Sequence, residues 1–175
     1  IYGSITDSYI SGDLMTDNVT GGESRKWNIS GTVFNDSDIE IWGSAFGYNG
    51  ILDIDRSTFF NCSIRHDGGE TSDFTNSIFW PDLYYINEST NNNHSWASST
   101  IPDFEYCLNA PFYGTGNIAG DPFFLDVESG DFSLYPASPA IDAGNPLDEN
   151  DLDSTRADMG ALYFDQSGEY QSTIV

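Results

Sequence analysis

The stretch STFFNCSIRHDGGETSDFTNSIFW, residues 57–80, begins and ends on the same pattern: small polar residues followed by apolar and aromatic ones. The pattern recurs along the chain as DSYIS at 7–11, GTVFN at 31–35, STFFN at 57–61 and NSIFW at 76–80. EYCLN at 105–109 is a fifth copy, reached after a longer excursion. Aligning Ile10, Val33, Phe59 and Ile78 gives steps of 23, 26 and 19 residues. Such a period is that of one coil in a parallel β-solenoid.

The segments between the repeats support the same reading. In SDIEIWGSAF and NGILDIDRS, Ile39, Ile41, then Ile51 or Leu52, and Ile54 can point to one side with polar residues opposite, and Gly, Asn and Asp separate the runs. No helical period is sustained, and the turns are not two-residue hairpin turns, so an all-β solenoid is favoured over a sandwich. In a solenoid, side chains that face the narrow interior pile up from coil to coil. Phe34, Phe60 and Phe79 are the expected aromatic ladder. The expected organisation is β-helix coils over 1–118 with a polar excursion near 81–100, a final coil and C-terminal cap over 119–164, and a tail over 165–175.

Five Lys and Arg against 28 Asp and Glu give a net charge of −23. A surface so acidic repels nucleic acid and anionic membranes. No apolar run approaches the roughly 20 residues of a membrane-crossing helix, so membrane insertion is not expected. Scarce lysine with abundant Asp, Asn, Ser, Thr and Gly is the composition of secreted prokaryotic surface proteins that work where calcium is plentiful. Localisation is accordingly read as extracellular or cell surface. The six Asn-x-Ser/Thr triplets, at Asn18, Asn28, Asn35, Asn61, Asn87 and Asn93, are what such a composition produces by chance. Cys62 and Cys107 do not make a disulfide framework and read as small buried hydrophobes; they sit about two coils apart, so a single bridge between them requires a loop that folds back.

The second half carries ordered motifs: GNI, then DPFF, GDFSL, SPAIDAG and RADMGA. Over residues 76–164 the chain resembles the C-terminal coils and cap of right-handed parallel β-helix surface proteins of bacteria and archaea, whose fold is similar to that of pectate lyases. The resemblance implies a right-handed parallel β-helix whose open end is covered by residues 119–164, with Arg156 and Asp158 locking the cap. It implies no activity, since the same ending follows both carbohydrate-active enzymes and non-catalytic modules. No amphipathic plug precedes Ile1, so the first coil is expected to be covered by another domain or subunit.

Three candidate sites follow. Asp142, Asp148, Asp151, Asp153 and Asp158 offer closely spaced oxygens of the kind calcium takes, although not in an EF-hand register. The competing reading pairs Arg156 with Asp158 or Asp142 and leaves the other carboxylates to water. Arg65, His66 and Asp67, in RHDGGE, put a cation, an imidazole and a carboxylate on one turn and are the best catalytic candidates. Tyr84, Tyr85 and Trp96, with the other aromatics, are candidates to stack on sugars. The five cations, Arg25, Lys26, Arg56, Arg65 and Arg156, are few for binding a polyuronate, and the paired aspartates with Gly-His-Gly of polygalacturonases are absent. The function expected is therefore a non-catalytic structural or adhesive module stabilised by calcium. The alternatives are a carbohydrate-binding or polysaccharide-degrading β-helix, as a lyase or glycoside hydrolase, and a filament subunit that binds copies of itself head to tail.

Overall fold

The computed structural model describes residues 2–16, 25–42, 50–67, 72–81, 83–87 and 102–168. Its strands come in threes. The first circuit is β1 (Tyr2–Thr6), β2 (Tyr9–Ile10) and β3 (Leu14–Thr16); the second is β4 (Arg25–Ser30), β5 (Val33–Asn35) and β6 (Asp38–Trp42). The third is β7 (Gly50–Asp55), β8 (Thr58–Phe60) and β9 (Ser63–Asp67); the fourth is β10 (Asp73–Thr75), β11 (Ile78–Trp80) and β12 (Tyr84–Asn87). A fifth circuit begins with β13 (Asp103–Glu105). Each strand pairs with its counterpart in the neighbouring circuits, giving sheets in the orders β1-β4-β7-β10-β13, β11-β8-β5-β2 and β12-β9-β6-β3. Every pairing in these three sheets is parallel. The protein is all-β, as expected, and built on parallel sheets.

The sheets meet at corners made by two consecutive residues. At the first corner Asp7, Gly31, Arg56, Asn76 and Tyr106 all take left-handed backbone angles, with φ of 46°, 58°, 46°, 48° and 52°. Such angles are strained for residues with a Cβ, and Asp and Asn tolerate them best. The next residue repairs the backbone. The hydroxyls of Ser8, Thr32, Ser57 and Ser77 donate to the carbonyl two residues back, at 2.7–3.0 Å. Ser57 and Ser77 also accept the amide of the adjacent circuit, from Thr32 at 3.4 Å and Ser57 at 3.1 Å. Cys107 takes the same place, its Sγ 3.3 Å from the Glu105 carbonyl. At the second corner Ser37 and Cys62 do the same after left-handed Asp36 and Asn61. Both cysteines are free and buried, as expected. Burial pushes their thiols up, to about 11 for Cys62 and about 12 for Cys107.

Inside the three sheets lies the main core. Ile29, Ile54, Phe74 and Phe104 fill it from the first sheet, and Ile39 and Ile64 from the third. From the second sheet come Phe34, Phe59 and Phe79, stacked with centroids 5.0 and 4.9 Å apart. The ladder therefore runs through Phe59, correcting the expected Phe60. Arg56 occupies the left-handed corner position, so Ser57 is the corner hydroxyl and Thr58 the first strand residue. Because strand side chains alternate, this one-residue offset sends Phe60 to the outer face. The offset also corrects the alignment: Val33 and Ile78 lie in register with Tyr9 and Thr58, and Ile10 with Phe34 and Phe59.

The cap is also placed differently. The interior is closed beyond β13 by residues 109–118, where Phe112 packs at 5.9 Å on Phe104. Asn117 satisfies the groups this end leaves open, accepting from the Cys107 amide at 2.9 Å and donating to the Phe104 carbonyl at 2.9 Å and the Phe112 carbonyl at 3.1 Å. A Cβ on Gly114 would collide with the Phe104 carbonyl, so the turn requires glycine there. Residues 119–164 instead run as a strap along the outer face of the second sheet. Within them β14 (Phe124–Asp126) and β15 (Asp131–Leu134) form an antiparallel hairpin. The outer-face residues Ile78 and Leu108 pack with Leu134, Ala140 and Met159 into a second core. Phe132 reaches Phe60 at 5.3 Å and Tyr9, in the first circuit, at 6.3 Å. The second sheet is apolar on both faces, which explains why a cover for the open end was the wrong role for these residues.

The two phenylalanines are thus expected to separate in mutation. Phe59→Ala, in the closed interior, is expected to cost about 3–5 kcal/mol, and Phe60→Ala, which loosens only the strap, roughly 1–2 kcal/mol. Urea unfolding of both variants checks the order; equal costs would contradict the assigned register.

Candidate functional site

The strap and the first corner enclose a cleft of about 480 Å³. The winding contributes Asp7, Asp55 and Arg56 to it, and the strap contributes Asp148, Glu149, Asp151, Asp158 and Tyr163. The sequence places a charge at the corner because position 56 must leave the sheet backbone. From there the Arg56 guanidinium spans to the strap, donating to the Glu149 carbonyl at 2.9 Å and facing the Asp151 carboxylate at 3.6 Å. Its Nε lies 3.7 Å from Asp55.

Asn76 is the second fastening, and it is fully buried. Its amide nitrogen donates to Asp55 and Asp148, both at 2.7 Å, and its side-chain oxygen accepts the Asn145 amide at 2.6 Å. Its own carbonyl accepts the Gly160 amide at 2.7 Å. One rung below, the Thr58 hydroxyl accepts the Ala161 amide at 3.0 Å. Neither Arg56 nor Asn76 was singled out as a site residue from the sequence. The available signal was their place in the repeat, immediately before Ser57 and Ser77.

The five aspartates of the strap are spread over several jobs. Asp158 is buried, and its carboxylate accepts the amides of Asp142 at 2.6 Å and Phe164 at 2.7 Å. Asp151 accepts the Asp158 amide at 2.8 Å. Asp153 accepts from the Thr155 amide and hydroxyl at 3.0 and 2.6 Å and from the Gln166 amide at 2.7 Å. Asp142 accepts the Gln166 side-chain amide at 3.1 Å. Only Asp148, Asp151 and Asp158 line the cleft; Asp142 and Asp153 are joined through Gln166. Among the described residues no group of three or more His, Cys, Asp or Glu side chains converges as a metal-holding cluster. Arg156 corrects the expected pairing with Asp158 or Asp142. It donates to the carbonyls of Gly144 and Ala143, while the two Asp158 oxygens each accept a backbone amide.

These environments move the carboxyls in opposite directions. Burial pushes Asp158 up to about 6, against the amides of Phe164 and Asp142 that favour its charged form. Burial likewise raises Asp151, while the Asp158 amide and Arg56 oppose it. Asp153 is lowered, chiefly by the Thr155 hydroxyl and then by the Gln166 amide.

The catalytic candidates and Tyr84 and Tyr85 fall on neighbouring strands of the third sheet. Arg65, His66 and Asp67 lie on β9, a strand, which corrects the expected turn. The Arg65 guanidinium faces Glu40 at 3.4 Å, one circuit away. Tyr84 and Tyr85 belong to β12, in register with Ser63 and Ile64, so the polar excursion placed at 81–100 begins after a further strand of the third sheet. The side chains of His66, Asp67, Tyr84 and Tyr85, and the whole of Trp96, lie outside the described residues.

Two tests follow for the strap. A group raised in the folded state gives stability that is full below its ordinary value, near 4, and lost as pH rises through its folded value. Asp158 therefore makes melting temperature climb as pH falls from 7 toward 4, and Asp158→Asn should flatten that climb while lowering stability throughout, since an amide cannot accept from both backbone N–H groups. Thermal unfolding with calcium and then with excess chelator tests the calcium reading: a fall of several degrees on chelation places an ion among these carboxylates, and one melting temperature leaves them to the amides and Arg56.

No protein-family model, curated protein or solved structure matches this chain.

Proposed function

We propose that the chain is a right-handed parallel β-helix and a non-catalytic structural or adhesive module of an extracellular prokaryotic surface protein. The observation that carries this reading is what fills the cleft between winding and strap. Five of its seven charged side chains are engaged in the structure: Arg56 on the Glu149 carbonyl and Asp151, Asp55 and Asp148 on Asn76, and Asp158 on two backbone amides. A general acid or base needs a free partner within reach of a substrate proton. Parallel circuits related by one strand step, with a stacked interior, support the β-helix part. The acidic, lysine-poor surface supports the extracellular part.

Glycan binding is the second reading, favoured by one surface. On the hairpin β14–β15, Phe123, Leu125 and Tyr135 are 47, 50 and 54% exposed, opposite the buried Phe132 and Leu134. Exposed rings beside carboxylates suit the CH faces and hydroxyls of neutral sugars.

Incubation with neutral and uronate polysaccharides, followed for new reducing ends and for unsaturated uronate absorbance, is expected to yield no product. Product formation would replace the proposal with a polysaccharide-degrading enzyme. Co-sedimentation with insoluble glycans that is lost in Tyr135→Ala would move the weight to the second reading.

A further inference from the structure

Apart from the strap, the outer face of the first sheet holds an arrangement that the proposed function does not use. The register sets Asp53, Asp73 and Asp103 side by side on the adjacent strands β7, β10 and β13. Neighbouring strands are about 4.8 Å apart, so the three carboxyls form one file at that spacing. Beside it runs a second file, Asp55, Thr75 and Glu105. Like charges directly opposite one another weaken a sheet. The cations near these files sit at one end: Lys26 of β4 pairs with Asp53, and Arg56 lies beside Asp55. Asp73 and Asp103 are exposed, and the charged groups facing Asp73 are the carboxyls of Asp53, Asp103 and Glu105 and the ammonium of Lys26.

We propose that this file is a pH-responsive seam, along which β13 and the plug at 109–118 hold to β10 more firmly as pH falls from neutral toward the ordinary carboxylate range. When Asp73 takes up a proton, its carboxyl changes from a third negative charge into an O–H donor between two carboxylates. The repulsion across both strand pairings is then relieved, and one of them gains a charge-assisted hydrogen bond. Partial desolvation between the neighbouring strands, followed by the charges of Asp53 and Asp103, raises Asp73, while Lys26 opposes them. A group raised on folding contributes its stability at low pH and loses it as pH rises through the folded value, which gives the stated direction.

Amide hydrogen exchange, corrected for intrinsic rates, reads the seam directly. The Asp103 amide donates to Ser72 and the Asn76 amide to Glu105, so both report the β10–β13 pairing; the Val33 amide, bonded to Ser8, reports the first two circuits. Between pH 7 and pH 4, protection at Asp103 and Asn76 is expected to rise roughly two- to fivefold more than at Val33, the factor for cross-strand charge pairs. Asp73→Asn should abolish that excess and Asp103→Asn should reduce it. Glu128→Gln, which removes one exposed charge from the strap, should leave it intact. Equal pH dependence at all three amides, or an excess that survives in both Asp73→Asn and Asp103→Asn, would overturn the proposal. An excess lost equally in Glu128→Gln would also overturn it, by assigning the effect to net charge alone.

Discussion

The structure depends on a two-residue corner. A left-handed residue turns the chain out of one sheet, and the Ser, Thr or Cys that follows ties its side chain to the carbonyl two residues back. A tight corner keeps successive strands short and brings the chain back above its own earlier course. Parallel pairing in register then sets each residue beside its counterpart in the next circuit. From that repetition come the phenylalanine stack inside, the hydroxyl-to-amide chain at the corner and the file of aspartates outside. One geometric rule thus produces a favourable ladder on one face and an unfavourable one on the other.

Repetition along an axis leaves two problems, an open end and exposed flanks. Residues 109–118 answer the first with Phe112 over the interior and Asn117 on the unpaired backbone groups. The strap answers the second. It crosses the circuits laterally, so Phe132 reaches the first circuit while Ala140 and Met159 pack with the Ile78 and Leu108 of later ones. In a purely linear array each circuit touches only its neighbours; a strap bonded to several of them couples their unfolding. Its acidity then has a structural meaning. Carboxylates accept what a loop without regular secondary structure has in excess, which is unpaired backbone N–H groups.

Much of this was legible in particular residues. The pairs Asp7-Ser8, Gly31-Thr32 and Asn76-Ser77 announced both the repeat and the corner, because few residue types tolerate the left-handed angle and fewer can then bond back. Arg56-Ser57 was misread because Ser57-Thr58 is itself a small polar pair, and arginine is not a residue expected at a left-handed angle. That single offset exchanged Phe59 for Phe60. The strap was legible as a folded unit, but its place on the flank was not, since GDFSL and SPAIDAG describe turns and strands without naming the face they cover. In the same way, a run of aspartates reads alike whether its oxygens will meet a cation, water or the chain's own amides.

The sequence by itself determined the all-β character, the coil-length repeat and the sign of the surface, because these rest on local backbone preference, period and charge. Only the tertiary structure decided which phenylalanines stack, which residues close the interior, where the strap lies and which carboxyls become crowded. Those outcomes depend on register and on contacts between residues such as Arg56 and Asp151 or Asn76 and Asp148. Such residues are far apart along the chain, and no local pattern links them before the circuits have stacked.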